Sequence, residues 1–207
     1  MAKRLTYGII GVIILSIGLT LLVISDLGVG PFDTLGLAVS EITGITFGDS
    51  LLLLQLIFAL VLVLYVITKK TKLTILQVLS TVISILLITR LINLFGLFID
   101  DVLINEIFTF IIGFILYTIG IWLFMKSNTI IPPADKFCVT TASFFNIKQG
   151  TTKLYLDIAT TVLSLLLIFV FKLSISFTIY SLIIVFFTGP SINLYDKAFQ
   201  KIGVKLD

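Results

Sequence analysis

The chain has 207 residues, of which 58% are hydrophobic and 12% charged, with a mean hydropathy of +1.23 and a formal net charge of +3. Soluble domains carry roughly 25% charged residues, so the composition excludes an ordinary water-soluble domain and points to an all-α polytopic membrane protein. Histidine is absent and Cys138 is the single cysteine, which excludes an internal disulfide framework and most zinc and haem chemistry.

The first apolar run, residues 5–25, follows Met-Ala-Lys-Arg. It exceeds the roughly 7–15 residues of a signal-peptide core and no A-x-A site follows it, so it reads as a retained span. Five further runs reach the length of about 20 apolar residues that a helical crossing needs: roughly 50–68, 73–92, 107–125, 153–171 and 174–190. Lys69 to Lys72 reads as a tight turn between the second and third spans. Phe95 to Glu106, with Asp100 and Asp101, reads as the link between two halves.

Between the first two spans lies LGVGPFDTLGLAVSEITGITFG, Leu27 to Gly48. A shift of 102 residues carries Gly11 to Gly113, Gly18 to Gly120 and Ser25 to Ser127. It also carries Pro31 to Pro133, Asp33 to Asp135 and Gly48 to Gly150. The chain therefore reads as a duplication within one membrane domain, 1–207, with repeats of about 1–94 and 103–207. Residues 31–43 and 133–145 are too short to cross a core of roughly 30 Å. Proline at a first helical position and an acid two residues later are helix-start features. Gly44 and Asn146 are stop residues able to take positive φ. Each half is thus predicted to carry one short re-entrant or interfacial helix.

Orientation follows from lysine and arginine. With the N-terminus in the cytoplasm, twelve basic residues fall inside, Lys136 and Lys153 among them, and only Arg90 and Lys172 fall outside. Both termini are then cytoplasmic. Three spans per repeat is an odd number, so the second copy inserts upside down. The expected fold is six transmembrane helices as a 3+3 inverted repeat, the architecture of many secondary transporters.

Four polar residues form the candidate substrate site. Asp33 and Asp135, behind Pro31 and Pro133, either approach a pathway at the repeat interface or only cap helices at the water boundary. Gln55 and Asp157 are repeat equivalents inside apolar spans, where a charge is costly and normally faces protein or water. Asp157 either contacts solute or pairs with Lys153, which lies on the same helix face at i−4. Gly8, Gly11, Gly18, Gly113 and Gly120 read as close-packing positions of spans one and four. On a second reading, the glycines of span one form a docking face for partner helices. Trp122 and tyrosines near span ends fit an aromatic belt. Thr188-Gly189-Pro190 is expected to end the last helix. Nucleophile–base pairs, phosphate loops and metal-ligand spacings are missing from the sequence, so neither an enzyme nor a cofactor is expected, and no nucleic-acid partner.

Leu27, Gly28, Gly30, Pro31, Phe32 and Asp33, followed by Gly48, resemble the motif of the YczE/YyaS/YitT group of bacterial integral membrane proteins. Thr188 to Ile192 resembles that group's Gly-Pro close of the last span. The second copy, Ile131-Pro132-Pro133-Ala134-Asp135-Lys136, lacks the glycines and the aromatic residue. The resemblance implies a bacterial inner-membrane location and no particular substrate. The leading expectation is a small secondary transporter or permease for a small polar or ionic solute. The alternative is a substrate-capture subunit or a non-transporting membrane partner. The expected partners are the lipid bilayer, the solute, and either a second copy or another membrane subunit.

Overall fold

The computed structural model describes residues 2–68, 75–99, 105–127, 129, 131–174 and 178–201. These form helices and connections with no strand among the described residues. In chain order the helices are α1 (Ala2–Ile24), α2 (Pro31–Thr43), α3 (Phe47–Ile67) and α4 (Ile75–Ile99). They are followed by α5 (Glu106–Ser127), α6 (Pro133–Phe145), α7 (Gln149–Phe171) and α8 (Ile179–Lys201). The two short helices have the residue ranges the sequence predicts. They end as expected, with Gly44 at φ 74° and Asn146 at φ 55°. These left-handed residues turn each chain from a short helix into the next long one.

Four helices among the described residues are long and apolar enough to cross a membrane: Arg4–Ile24, Phe47–Ile67, Glu106–Ser127 and Gln149–Phe171. Large apolar side chains such as Leu60, Ile67, Phe169 and Val170 lie on the outside, while Ser16, Thr20, Ser84, Thr118 and Ser164 are buried. This is the pattern of a protein dissolved in lipid. Most buried hydroxyls bond to the carbonyl three or four residues back in their own helix, as Ser16 does to Val12 (2.8 Å), so their burial leaves few polar groups unsatisfied.

α1 and α5 form the closest helix pair. A Cβ added at Gly11 would lie 2.8 Å from Phe124 N and 3.0 Å from Gly120 O; one at Gly18 would lie 2.9 Å from Gly113 O. The early glycine of each helix thus meets the late one of the other, so the two helices run antiparallel, backbone against backbone. These glycines pack as expected. Gly11 and Gly18 are covered by α5, so the docking face proposed for them is not available to a partner. Gly150 and Gly189 form a second close approach, between α7 and α8.

The packing scheme survives exchange of the halves. α2 packs on α3 and α7, and α6 packs on α7 and α3; α3 packs on α4 as α7 does on α8. Each short helix therefore rests on a long helix of both halves.

Three expectations are corrected. α8 continues through Pro190 to Lys201 instead of stopping at Gly189-Pro190. Proline removes one helical bond, but a helix in lipid tolerates this when neighbours pack tightly around it, and Gly150 seats against Gly189 there. Trp122 is 2% exposed instead of lying in a surface belt. Its Nε1 donates to Asp196 Oδ1 at 2.6 Å, and Asp196 also pairs with Lys126 at 3.0 Å, so the indole's polar edge is satisfied inside. Finally, α4 runs on to Ile99, which shortens the link between halves. The Lys69–Lys72 turn, Asp100 and Asp101 lie outside the described residues.

Candidate functional site

The short helices begin at buried residues, Pro31 to Asp33 and Pro133 to Asp135. Pro31 and Pro133 occupy their first turns, where proline's fixed φ suits a helix and its missing N–H costs nothing. Asp33 and Asp135 follow in the same turns, where the positive end of the helix dipole favours a carboxylate. They are not caps at a water boundary, because they are only 5% and 8% exposed.

Both acids line a partly open cavity of about 50 Å³. Five repeat-equivalent pairs share its wall: Leu15 with Tyr117, Leu19 with Ile121, Phe32 with Ala134, Asp33 with Asp135, and Leu51 with Lys153. The cavity therefore sits where the two halves meet. A water needs about 10–15 Å³ of such space, so the volume suits a few waters or one small solute.

Lys153 holds the polar side together. It lies one turn inside α7 and its Nζ is 2.9 Å from Asp157 Oδ1, the i+4 neighbour, and 3.5 Å from Asp135 Oδ1. All three residues are buried. On α3, Gln55 Oε1 accepts the Ala134 N–H at 2.8 Å and so satisfies one amide at the start of α6. Ser164 Oγ on α7 lies 3.4 Å from the Pro31 carbonyl at the start of α2. Each short-helix start is thus touched by a long helix of the opposite half.

Asp33 is placed differently. Among the described residues no ion pair reaches it; its Oδ2, like Asp135 Oδ1 and both Asp157 carboxylate oxygens, is buried without a hydrogen-bond partner. A Cβ added at Gly30 would lie 2.7 Å from that oxygen and 2.9 Å from the Tyr117 hydroxyl. Gly30 therefore leaves a small space that both oxygens border. Three carboxylates face one ammonium here, Lys153. Buried charges of one sign are expensive unless balanced by a proton, a cation or helix dipoles. Among the described residues no group of three His, Cys, Asp or Glu side chains is arranged to hold a metal ion.

The chain matches the model of DUF6198, a family of unknown function, over residues 2–197. It belongs to DUF6198. No curated protein and no solved structure matches it.

Of the residues expected at the site of this DUF6198 chain, Asp33, Gln55 and Asp135 line the cavity. Asp157 does not line it and pairs with Lys153, which does. Pro31 and Pro133 set the helix starts without lining the space. Lys153 and Tyr117 were not singled out by the sequence as site residues, and both line it. Lys136 and Lys153 were counted as cytoplasmic charges, yet each is 4% exposed. α7 starts at Gln149, four residues before Lys153, so packing against the short helices encloses its ammonium beside two acids. The signal available in the sequence was its i, i+4 spacing to Asp157, and the contrast with Leu51 at the equivalent place in the first copy.

Proposed function

We propose that the chain is a small secondary transporter or permease that carries a small polar or ionic solute through the cavity between its halves. The observation behind the reading is a small cavity with buried charges, walled by repeat-equivalent residues at the starts of two short helices. Such sites, at repeat interfaces and beside broken or short helices, are those of many secondary transporters. The antiparallel packing of α1 on α5 supports a pseudo-twofold axis perpendicular to the helices, which lies in the membrane plane if those helices cross. On this reading α1, α3, α4, α5, α7 and α8 are six spans arranged as a 3+3 inverted repeat. α2 and α6 are re-entrant. Rocking one half against the other opens the cavity alternately to each side.

The proposed location is the bacterial inner membrane with both termini cytoplasmic. Without the buried Lys136 and Lys153, the basic residues still divide ten to two in favour of the cytoplasm. Single cysteines at Thr71 and Asp100, in a Cys138→Ala background, are expected to label from opposite sides of the membrane; labelling from one side refutes the inverted topology. Function is tested by uptake of a panel of small polar and ionic solutes into liposomes holding only this protein. Asp33→Asn and Asp135→Asn should fold normally and lose uptake or change its pH dependence. Wild-type rates in both variants across a range of pH would remove these carboxylates from the site.

A further inference from the structure

The two halves supply unlike residues to the same two positions, and the difference leaves a charge unmatched. In the second half, Asp135 on the short helix faces Lys153 on the next long helix, 3.5 Å away. In the first half, Asp33 corresponds to Asp135, and Leu51 corresponds to Lys153. Leu51 lines the same cavity but offers no charge, and it leans on α2 at Gly36, where its Cδ2 is 2.6 Å from the place a Cβ would take. Asp33 Oδ2 is consequently buried and unpartnered beside the cavity, with the Tyr117 hydroxyl across the space left by Gly30. Lys153 is already engaged by Asp135 and Asp157.

We infer that the cavity binds a small monovalent cation against Asp33, at the position that the Lys153 ammonium fills against Asp135 in the other half. This names the ligand class of the proposed transport site and rests on the reading of that cavity as a solute site. Three carboxylates share one ammonium here, and Asp33 is the one outside its ion pairs, so a single positive charge at Asp33 offsets part of the excess. A divalent ion would need more carboxylates than converge here. The remaining ligands are the Tyr117 hydroxyl and the few waters that about 50 Å³ admits. An alkali ion and an ammonium or small primary amine share this chemistry, a compact single positive charge that accepts oxygen contacts or donates hydrogen bonds to them. The volume excludes bulky quaternary or polyol amines.

The test is thermal unfolding of the purified full chain in non-ionic detergent. It compares sodium, potassium, ammonium and methylammonium chlorides with N-methylglucamine chloride at equal ionic strength. At least one small cation should raise the unfolding temperature by about 5 °C at saturation, and the salt that does so separates alkali ion from amine. Asp33→Asn should abolish that rise. Leu51→Lys supplies a tethered ammonium, so it should unfold above Leu51→Met in N-methylglucamine and gain nothing further from small cations. If Leu51→Lys does not fold, the Asp33→Asn comparison decides. No rise with any small cation in the wild type, or an equal rise in Asp33→Asn, overturns the inference. A protein stabilised by a cation that carries nothing into liposomes keeps this inference and refutes the transporter reading; uptake without any cation response does the reverse.

Discussion

Replacing Lys153 by methionine removes the one cation from between two buried acids while keeping most of the side chain's length. Asp157 loses a partner at 2.9 Å and Asp135 one at 3.5 Å. The side chains of Lys153 and Asp157 are 5% and 1% exposed, so solvent screens this pair little. Breaking a buried pair from one side costs about 3–5 kcal/mol, because the stranded charge has no compensation. In a chain of this size each kcal/mol moves the midpoint by about 2–4 °C, so the expected loss is about 6–20 °C. Cys138 provides the assay, being the single cysteine and fully buried. A dye that fluoresces on reacting with thiols reports its exposure on heating. Adding Asp157→Asn to Lys153→Met should return part of the loss, since the second change removes the nearer of the two stranded charges. If Lys153→Met unfolds within about 1 °C of wild type, the ammonium does not neutralise this cluster, and the electrostatic account of the site fails.

Gln55→Leu strands the Ala134 N–H at the start of α6 and should cost about 1–3 kcal/mol in the same unfolding assay. Gly120→Leu drives a side chain into Leu15 of α1, where even a Cβ would lie 2.5 Å from a backbone nitrogen. It should cost at least the roughly 1–3 kcal/mol of an overpacked core, visible as low yield of monodisperse protein. The same substitution at Gly44, which has nothing within 4 Å of an added Cβ but sits at φ 74°, should be strained by its backbone alone, with a smaller fall in midpoint.

Much of the fold was legible because it rests on local rules. Pro31 and Pro133 begin helices, Gly44 and Asn146 end them, and the shift of 102 residues ties the two signals together. The four long apolar helices followed from apolar length. What escaped depended on tertiary contacts. Pro190 reads as a stop in isolation, but α8 passes through it where Gly150 meets Gly189. Trp122 reads as a surface anchor until Asp196, seventy-four residues later, accepts its N–H. Lys153 sits near the start of a span, where a lysine ordinarily reaches water; the start of α6 packs there and sets Asp135 against its ammonium. Asp33, Gln55 and Asp135 were identifiable as polar residues repeated where neighbours are apolar. That they converge on one cavity, with Asp157 behind Lys153, needed the helix packing.

The central claim is that one cavity between the halves is reached alternately from the two sides of the membrane. It is tested without knowledge of the solute by a single cysteine at the cavity wall, Leu51→Cys in a Cys138→Ala background. A small, charged, membrane-impermeant methanethiosulfonate is applied to right-side-out and to inside-out vesicles. Alternating access predicts that the same thiol reacts from both sides. Reaction from neither side, or from one side only, contradicts it.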